Sequence, residues 1–121
     1  MTRTVFGLPV LERELWDDGS VVIWLASPFP YAKKPAIPSR LIDRAKRTTV
    51  PLEGLWGTQR RVTSVGVNRY VTSSPDPPLV YRMSDGRMLI ADGHHRLTAA
   101  LLRGDRKAVV RLVETPQKPA A

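Results

Sequence analysis

The chain has 121 residues, no cysteine, and 19 lysines and arginines against 11 acidic residues, which gives a formal net charge of +8. The length predicts one domain with a hydrophobic core of its own. The missing cysteines exclude disulfides and thiolate metal sites, and no apolar run is long enough to span a membrane. We therefore expect a soluble cytoplasmic protein with no membrane partner, whose basic charge favours a polyanionic partner such as nucleic acid.

The first 31 residues predict a small β unit. Apolar runs at 15–16 and 21–25 flank an Asp-Gly pair, which is a strong hairpin signal. Pro28 and Pro30 end this unit, because proline cannot continue a β ladder. These residues carry a net charge of −2, so +10 remains for the other residues. We expect an N-terminal β-hairpin extension over residues 1–31.

Residues 32–49 predict a basic linker or surface loop, because two prolines interrupt them. A short helix is expected over residues 39–46, with Ser39 as its N-cap. Basic side chains of this segment are candidate contacts to nucleic-acid phosphates, namely Lys33, Lys34, Arg44 and Arg47.

The larger part of the fold is expected over residues 50–113. Its first half predicts a strand over 50–56 and then a helix after residues 59–61. The candidate apolar positions of that helix fit a helical period only roughly, and they are Val62, Val65, Val67 and Tyr70.

The second half predicts a hairpin, a helix and a strand. Apolar runs at 79–83 and 88–91 flank a second Asp-Gly pair. The following helix is expected over 97–103, where Gly104 stops it, and the last strand over 108–113. Residues 73–78 form a clear break in the pattern, and residues 114–121 predict a flexible tail.

The junction between the second hairpin and its helix is the strongest functional signal. Gly93, His94, His95 and Arg96 stand at a predicted strand-to-helix turn, here called the 93–96 turn. Backbone N–H groups at the start of a helix are unpaired, and the helix dipole attracts negative charge there. The arginine and the histidines add side-chain donors, so we predict a phosphate site at this turn.

Each polar residue of this turn also has an ordinary structural interpretation. Asp92 is the natural N-cap of the helix, and it is a candidate magnesium contact as well. Adjacent helical residues point about 100° apart, so His94 and His95 cannot both bind one metal ion. One of them is a candidate phosphate donor or general acid. Arg96 is either a phosphate contact or an exposed helix residue.

The order of elements over residues 50–113 resembles the ParB/sulfiredoxin superfamily. The segments 78–82 and 91–104 are similar to the Gly-Glu-Arg-Arg region of the ParB N-terminal domain. The opening residues 50–53, with Gln59 and Arg61, resemble that family's first strand and Gln-Pro-Arg element, with Arg60 in place of the proline. About half of the chain is covered.

Two other members of the superfamily are similar at the 93–96 turn. Its Gly-His-His-Arg order is similar to the Gly-Cys-His-Arg of sulfiredoxin, although His94 replaces the cysteine that sulfiredoxin chemistry needs. Its Asp-Gly-His start resembles the free serine kinases. Single-domain proteins of this kind are typical of phages and mobile elements, where they are often labelled ParB-like nucleases.

The resemblance implies an α+β fold, with a ParB/sulfiredoxin-like core and the N-terminal β-hairpin extension. It also implies a ligand pocket at the 93–96 turn for a nucleotide, with or without Mg²⁺, or for a nucleic-acid phosphate. Gln59 and Arg61 are implied as further phosphate or nucleotide contacts. In the superfamily's enzymes a carboxylate from the opening part of the fold can act as base, so Glu53 joins Asp92 and His95 as a catalytic candidate.

Three classes of function remain open. The first is a module that binds a nucleotide, or binds nucleic acid (DNA above all) without sequence specificity. The second is a ParB-like nuclease or a nucleotide hydrolase or kinase acting at the same turn, and the third is an inert phage protein that contacts a host protein. The charge of the chain favours the first, and no second carboxylate cluster suited to two-metal chemistry is visible. A homodimer also remains open.

Overall fold

The computed structural model describes residues 3–70 and 77–115, which form two β-sheets and three short helices. The mixed α+β architecture agrees with the predicted fold class. In chain order the elements are β1 (Thr4–Val5), β2 (Leu8–Leu15), β3 (Val21–Ala26), α1 (Ser39–Ile42), β4 (Lys46–Pro51), β5 (Leu55–Gly57), β6 (Arg61–Thr63), α2 (Ser64–Arg69), β7 (Leu79–Arg82), β8 (Met88–Asp92), α3 (His94–Leu102) and β9 (Lys107–Glu114).

The smaller sheet has the strand order β1-β2-β3-β6. β2 and β3 run antiparallel on either side of a turn in which Gly19 adopts a φ of 84°. β3 also pairs antiparallel with β6, where Trp24 lies opposite Thr63. The N-terminal strands therefore share a sheet with a strand of the region that we expected to form a separate core.

The larger sheet has the strand order β4-β9-β7-β8-β5. β7 and β8 are antiparallel across the second Asp-Gly turn, whereas β5 is parallel to β8 and β7 is parallel to β9. The strand expected over residues 50–56 is in fact two strands, because a turn at Gly54, with a φ of 87°, separates β4 from β5. β4 already begins at Lys46, so the end of the expected linker belongs to this sheet.

The first two helices are shorter than predicted. α1 ends at Ile42, and Pro38 occupies its N-cap without a side-chain hydrogen bond, so Ser39 is a helical residue rather than the cap. α2 has Thr63 as its N-cap, and Val62 belongs to β6 instead of the helix. Within the described ranges no helix has the length and apolar character of a membrane span.

α3 lies between the two sheets. On one side Leu97 and Ala100 pack into the core of the larger sheet, and on the other side Ala99 packs into the core of the smaller sheet. Replacing the fully buried Leu97 by alanine is therefore expected to cost about 2–5 kcal/mol of stability. This burial on both faces holds the N-terminus of α3, and so the 93–96 turn, in a defined position.

The first residue of the expected tail, Glu114, belongs to a strand. Glu114 is the last residue of β9, and its carboxylate pairs with Arg82 at 2.7 Å. Residues 116–121 and residues 73–76 of the predicted break lie outside the described residues.

Candidate functional site

Within the 93–96 turn, the single residue Gly93 joins β8 to α3. Gly93 adopts a φ of 96° and is the N-cap of α3, with no side-chain cap hydrogen bond. A Cβ atom on Gly93 would lie 2.6 Å from Cβ of Pro78, so backbone conformation and space both require glycine. Asp92, which we expected as the N-cap, is instead the last residue of β8, and its side chain faces Arg96.

The start of α3 is suited to an anion. The first N–H groups of a helix have no partner within it, and here the intrahelical bonds begin with Leu97 N donating to Gly93 O at 3.0 Å. The first turn carries no acidic residue. The helix dipole is therefore not neutralised by a carboxylate within the helix, and it favours negative charge at this end.

Arg96 brings a guanidinium to the same place. Its side chain is only 14% exposed, and its Nη2 lies 3.4 Å from the Oδ2 of Asp92. The guanidinium carbon lies 5.7 Å from the centre of the Tyr70 ring, within the range of a cation–π contact. Because two neighbours hold this side chain, little rotamer entropy is left for a ligand to remove.

A small polar cavity of about 140 Å³ lies in front of these groups. Its lining includes the predicted residue Gln59, and also Tyr70, which the sequence identified only as an apolar helix position. The full lining consists of Gln59, Tyr70, Ala91, Asp92, Gly93, His94, His95 and Arg96. The structure thus brings most of the residues predicted to bind phosphate to one cavity.

His94 is buried and committed to the fold. Its Nε2 accepts a hydrogen bond from the backbone N–H of Thr58 at 2.9 Å, so its proton must lie on Nδ1. The Thr58 hydroxyl in turn donates to the carbonyl of Ile90 at 2.6 Å. Burial, helped by the charge of Lys34 and by that of His95 when it is protonated, lowers the pKa of His94 to about 4. The ring is therefore neutral at pH 7.

His95 has a similar role at the next position of the helix. Its Nε2 accepts a hydrogen bond from the backbone N–H of Thr63 at 3.1 Å, and burial lowers its pKa. The ring lies against Gly66, where a Cβ atom would come within 3 Å of several ring atoms. Both histidines therefore tie α3 to neighbouring segments. This geometry disfavours the general-acid role considered above, because each Nε2 is already an acceptor.

Two residues predicted for the site lie elsewhere. Glu53 is exposed in the turn that separates β4 from β5, and it lines a different cavity with Phe29 and Leu52. This turn lies at the end of the larger sheet opposite to Asp92, because β5 and β8 run parallel from there towards the site. Arg61 does not line the 140 Å³ cavity either, since it pairs with Glu12 at 2.8 Å.

The four basic residues proposed for nucleic-acid binding have different surroundings. Arg47 lines a cavity of about 400 Å³ that also includes Arg96, so it adjoins the site. The charge of Lys34 contributes to lowering the pKa of His94. Arg44 lines a separate cavity beside α1, and Lys33 is exposed. Arg47 belongs to β4, whereas Lys33, Lys34 and Arg44 lie outside the helices and strands, so no regular element aligns the four on one face.

A resident metal ion has little protein support in the described part of the chain. Residues 3–70 and 77–115 contain no group of three or more histidines or acidic residues close enough together to hold one. Asp92 is the single carboxylate among the described residues that line the 140 Å³ cavity. Magnesium at Asp92 would therefore need phosphate oxygens of a ligand to complete its coordination.

Comparison with known proteins gives a partial likeness of fold. No protein-family model and no curated protein matches the chain. Among solved structures, the chain is similar to the C-terminally truncated chromosome-partitioning protein ParB from Caulobacter crescentus complexed with CTP-gamma-S, with a TM-score of 0.49 and 19% identity. The match covers 60% of this chain and 46% of that chain, so the present chain spans less than half of it. This likeness is limited to part of the fold, and the function is inferred from the site itself.

Proposed function

We propose that this protein binds a phosphate group of a nucleotide or of nucleic acid at the 93–96 turn. The observation that carries the proposal is the uncapped start of α3, which opens on the 140 Å³ cavity beside the Arg96 guanidinium. Backbone N–H groups and an arginine that converge on one cavity form a common phosphate-binding arrangement. The net charge of +8 adds a long-range attraction for polyanions.

Binding fits this cavity better than catalysis does. Phosphoryl transfer or hydrolysis needs a group that accepts or donates a proton near neutral pH, or a set of metal ligands. His94 and His95 use their Nε2 atoms within the fold, and their lowered pKa values keep both rings neutral. The cavity therefore offers donors for a phosphate, whereas Asp92 is left as its one candidate base among the described residues.

The test compares the wild type with two arginine variants. Arg96→Gln removes the charged donor from the site, whereas Arg82→Gln removes an exposed arginine at the opposite end of β7 and β8. Titration with inorganic pyrophosphate, nucleoside triphosphates and an oligonucleotide is followed by amide NMR. We expect the amides of the 93–96 turn to shift, and Arg96→Gln to weaken binding roughly 10- to 100-fold, as for a lost charge-assisted hydrogen bond. Arg82→Gln should stay within about twofold of the wild type.

Two results would contradict the proposal. One is a ligand that shifts only amides far from the 93–96 turn, and the other is equal weakening by both arginine variants. Turnover of a nucleotide or an oligonucleotide in the presence of magnesium or manganese, lost on Arg96→Ala, would instead support the enzyme hypothesis. Unfolding curves of both variants exclude an effect of misfolding on binding.

A further inference from the structure

A groove of about 660 Å³, here called the aromatic groove, adjoins the 93–96 turn on the face of the smaller sheet. Its lining includes aromatic, basic and amide side chains, namely Trp24, Tyr31, Gln59, Arg60, Arg61 and His95. Its aromatic residues come from the first 31 residues, to which the sequence assigned no function.

The aromatic rings of this groove are each stacked with an arginine. The guanidinium of Arg60 lies 4.1 Å from the centre of the Tyr31 ring, and that of Arg61 lies 4.4 Å from a ring centre of Trp24. Tyr31 is 40% exposed, so part of its ring remains accessible. The accessible faces of these ring–guanidinium stacks are flat surfaces on which nucleobases, which are flat as well, can stack.

These stacking surfaces are held in place by the fold. Tyr31 forms a β-bridge with Gly57, and the neighbouring Ala32 N–H donates to Gly57 O at 2.8 Å. The indole N–H of Trp24 donates to Glu14 at 2.9 Å. A ligand that stacks here has little ordering entropy to overcome, because the rings are already positioned.

The aromatic groove adjoins the 140 Å³ cavity, which in turn adjoins the 400 Å³ cavity. Gln59 and His95 line both the groove and the 140 Å³ cavity, and Arg96 lines both that cavity and the 400 Å³ cavity. Along these three cavities the lining carries two carboxylates, Asp92 and Asp105. It carries six cations, namely Arg47, Arg60, Arg61, Arg96, Arg103 and Lys107.

We infer that the ligand of this protein is a single strand of nucleic acid, which lies along the three cavities. This inference rests on the phosphate site proposed above and extends it. A phosphate occupies the 93–96 turn, a base on one side stacks in the aromatic groove, and the backbone on the other side follows Arg47, Arg103 and Lys107. A free nucleotide carries one base and fills part of this path. A duplex hides the faces of its bases by stacking them on one another, so it cannot use the aromatic groove.

The test uses fluorescence anisotropy with a single-stranded oligothymidine of roughly 10 nucleotides, a length within the usual site size of such surfaces. Tyr31→Ala removes a stacking ring, and Phe6→Ala removes an exposed aromatic ring that does not line the groove. We expect Tyr31→Ala to weaken binding of the single strand roughly tenfold, and Phe6→Ala to leave it within about twofold.

A second pair of variants keeps the test valid if Tyr31→Ala does not fold. Arg60→Gln removes the guanidinium that covers Tyr31, whereas Arg87→Gln removes an arginine that lies over Trp56, outside the three cavities. We expect weaker binding of the single strand for Arg60→Gln and no comparable change for Arg87→Gln. All four variants should bind inorganic pyrophosphate as the wild type does, because they leave the 93–96 turn intact.

The outcomes separate this inference from the phosphate site. If pyrophosphate binds at the turn but Tyr31→Ala and Arg60→Gln match their controls, the single-strand inference is wrong and the phosphate site stands. Equal affinity for a duplex of the same length, or equally effective competition by polyglutamate, would also overturn it. If pyrophosphate does not bind, while the oligothymidine depends on Tyr31, the phosphate site is wrong and the groove alone binds the strand.

Discussion

Acidification is expected to destabilise this protein through His94. His94 is 4% exposed, and the Nε2 of its ring accepts a hydrogen bond from the N–H of Thr58 at 2.9 Å. A proton on Nε2 would remove this acceptor and place a charge in a buried site. The folded protein therefore resists a proton that the unfolded chain accepts readily, so stability must fall as the pH falls.

The size of the effect follows from the two pKa values of His94, which are 6.5 for an unperturbed ring and about 4 in the folded protein. Stability from the neutral ring is fully present above pH 6.5, and it declines by about 1.4 kcal/mol for each pH unit below that. The loss reaches about 2 kcal/mol at pH 5 and about 3 kcal/mol once the pH is below the folded pKa.

Denaturant unfolding of the wild type and of His94→Gln between pH 7 and pH 4.5 measures this loss. The amide oxygen of the variant can accept the Thr58 N–H, and it does not titrate in this range. His95 is present in both proteins and also has a lowered pKa, so the part of its contribution that does not depend on His94 cancels in the difference. We expect the unfolding free energy of the wild type, relative to that of His94→Gln, to fall by about 1.4 kcal/mol per pH unit below pH 6.5. A difference that is constant with pH, or that grows on acidification, would refute this reasoning.

Two further predictions concern glycines, with unfolding free energy as the measurement. Gly93→Ala should destabilise the protein by about 2–4 kcal/mol, because Gly93 has a positive φ and a Cβ atom there would also meet Pro78. Gly86→Ala should cost only about 1–2 kcal/mol, because Gly86 has a positive φ but open space around it. Equal losses would refute the packing argument. Gly66→Ala should destabilise the wild type, because the new Cβ atom displaces the ring of His95. In the His95→Ala background the same change should stabilise the protein by roughly 0.5–1 kcal/mol, which is the normal helix preference of alanine over glycine. Destabilisation in both backgrounds would contradict this prediction.

Local sequence chemistry alone determined several features of this protein. The Asp-Gly pairs at 18–19 and 85–86 lie in turns between antiparallel strands, because these residues tolerate the backbone conformations that tight turns need. The apolar pattern after His95 predicts α3, although the helix begins three residues before the predicted start. The glycine between β8 and α3 located the candidate site, because a strand that changes into a helix at one residue exposes N–H groups there.

Other features were decided only by contacts between distant parts of the chain. Thr58 and Thr63, which fix the Nε2 atoms of His94 and His95, stand 36 and 32 residues before them, so no local pattern reveals the pairs. Strand order likewise places Glu53 at the far end of the larger sheet and brings the aromatic groove beside the turn. Burial then sets the charge state of both histidines. Hydrogen-bond partners and burial are properties of the packed chain, and therefore only the tertiary structure could assign them.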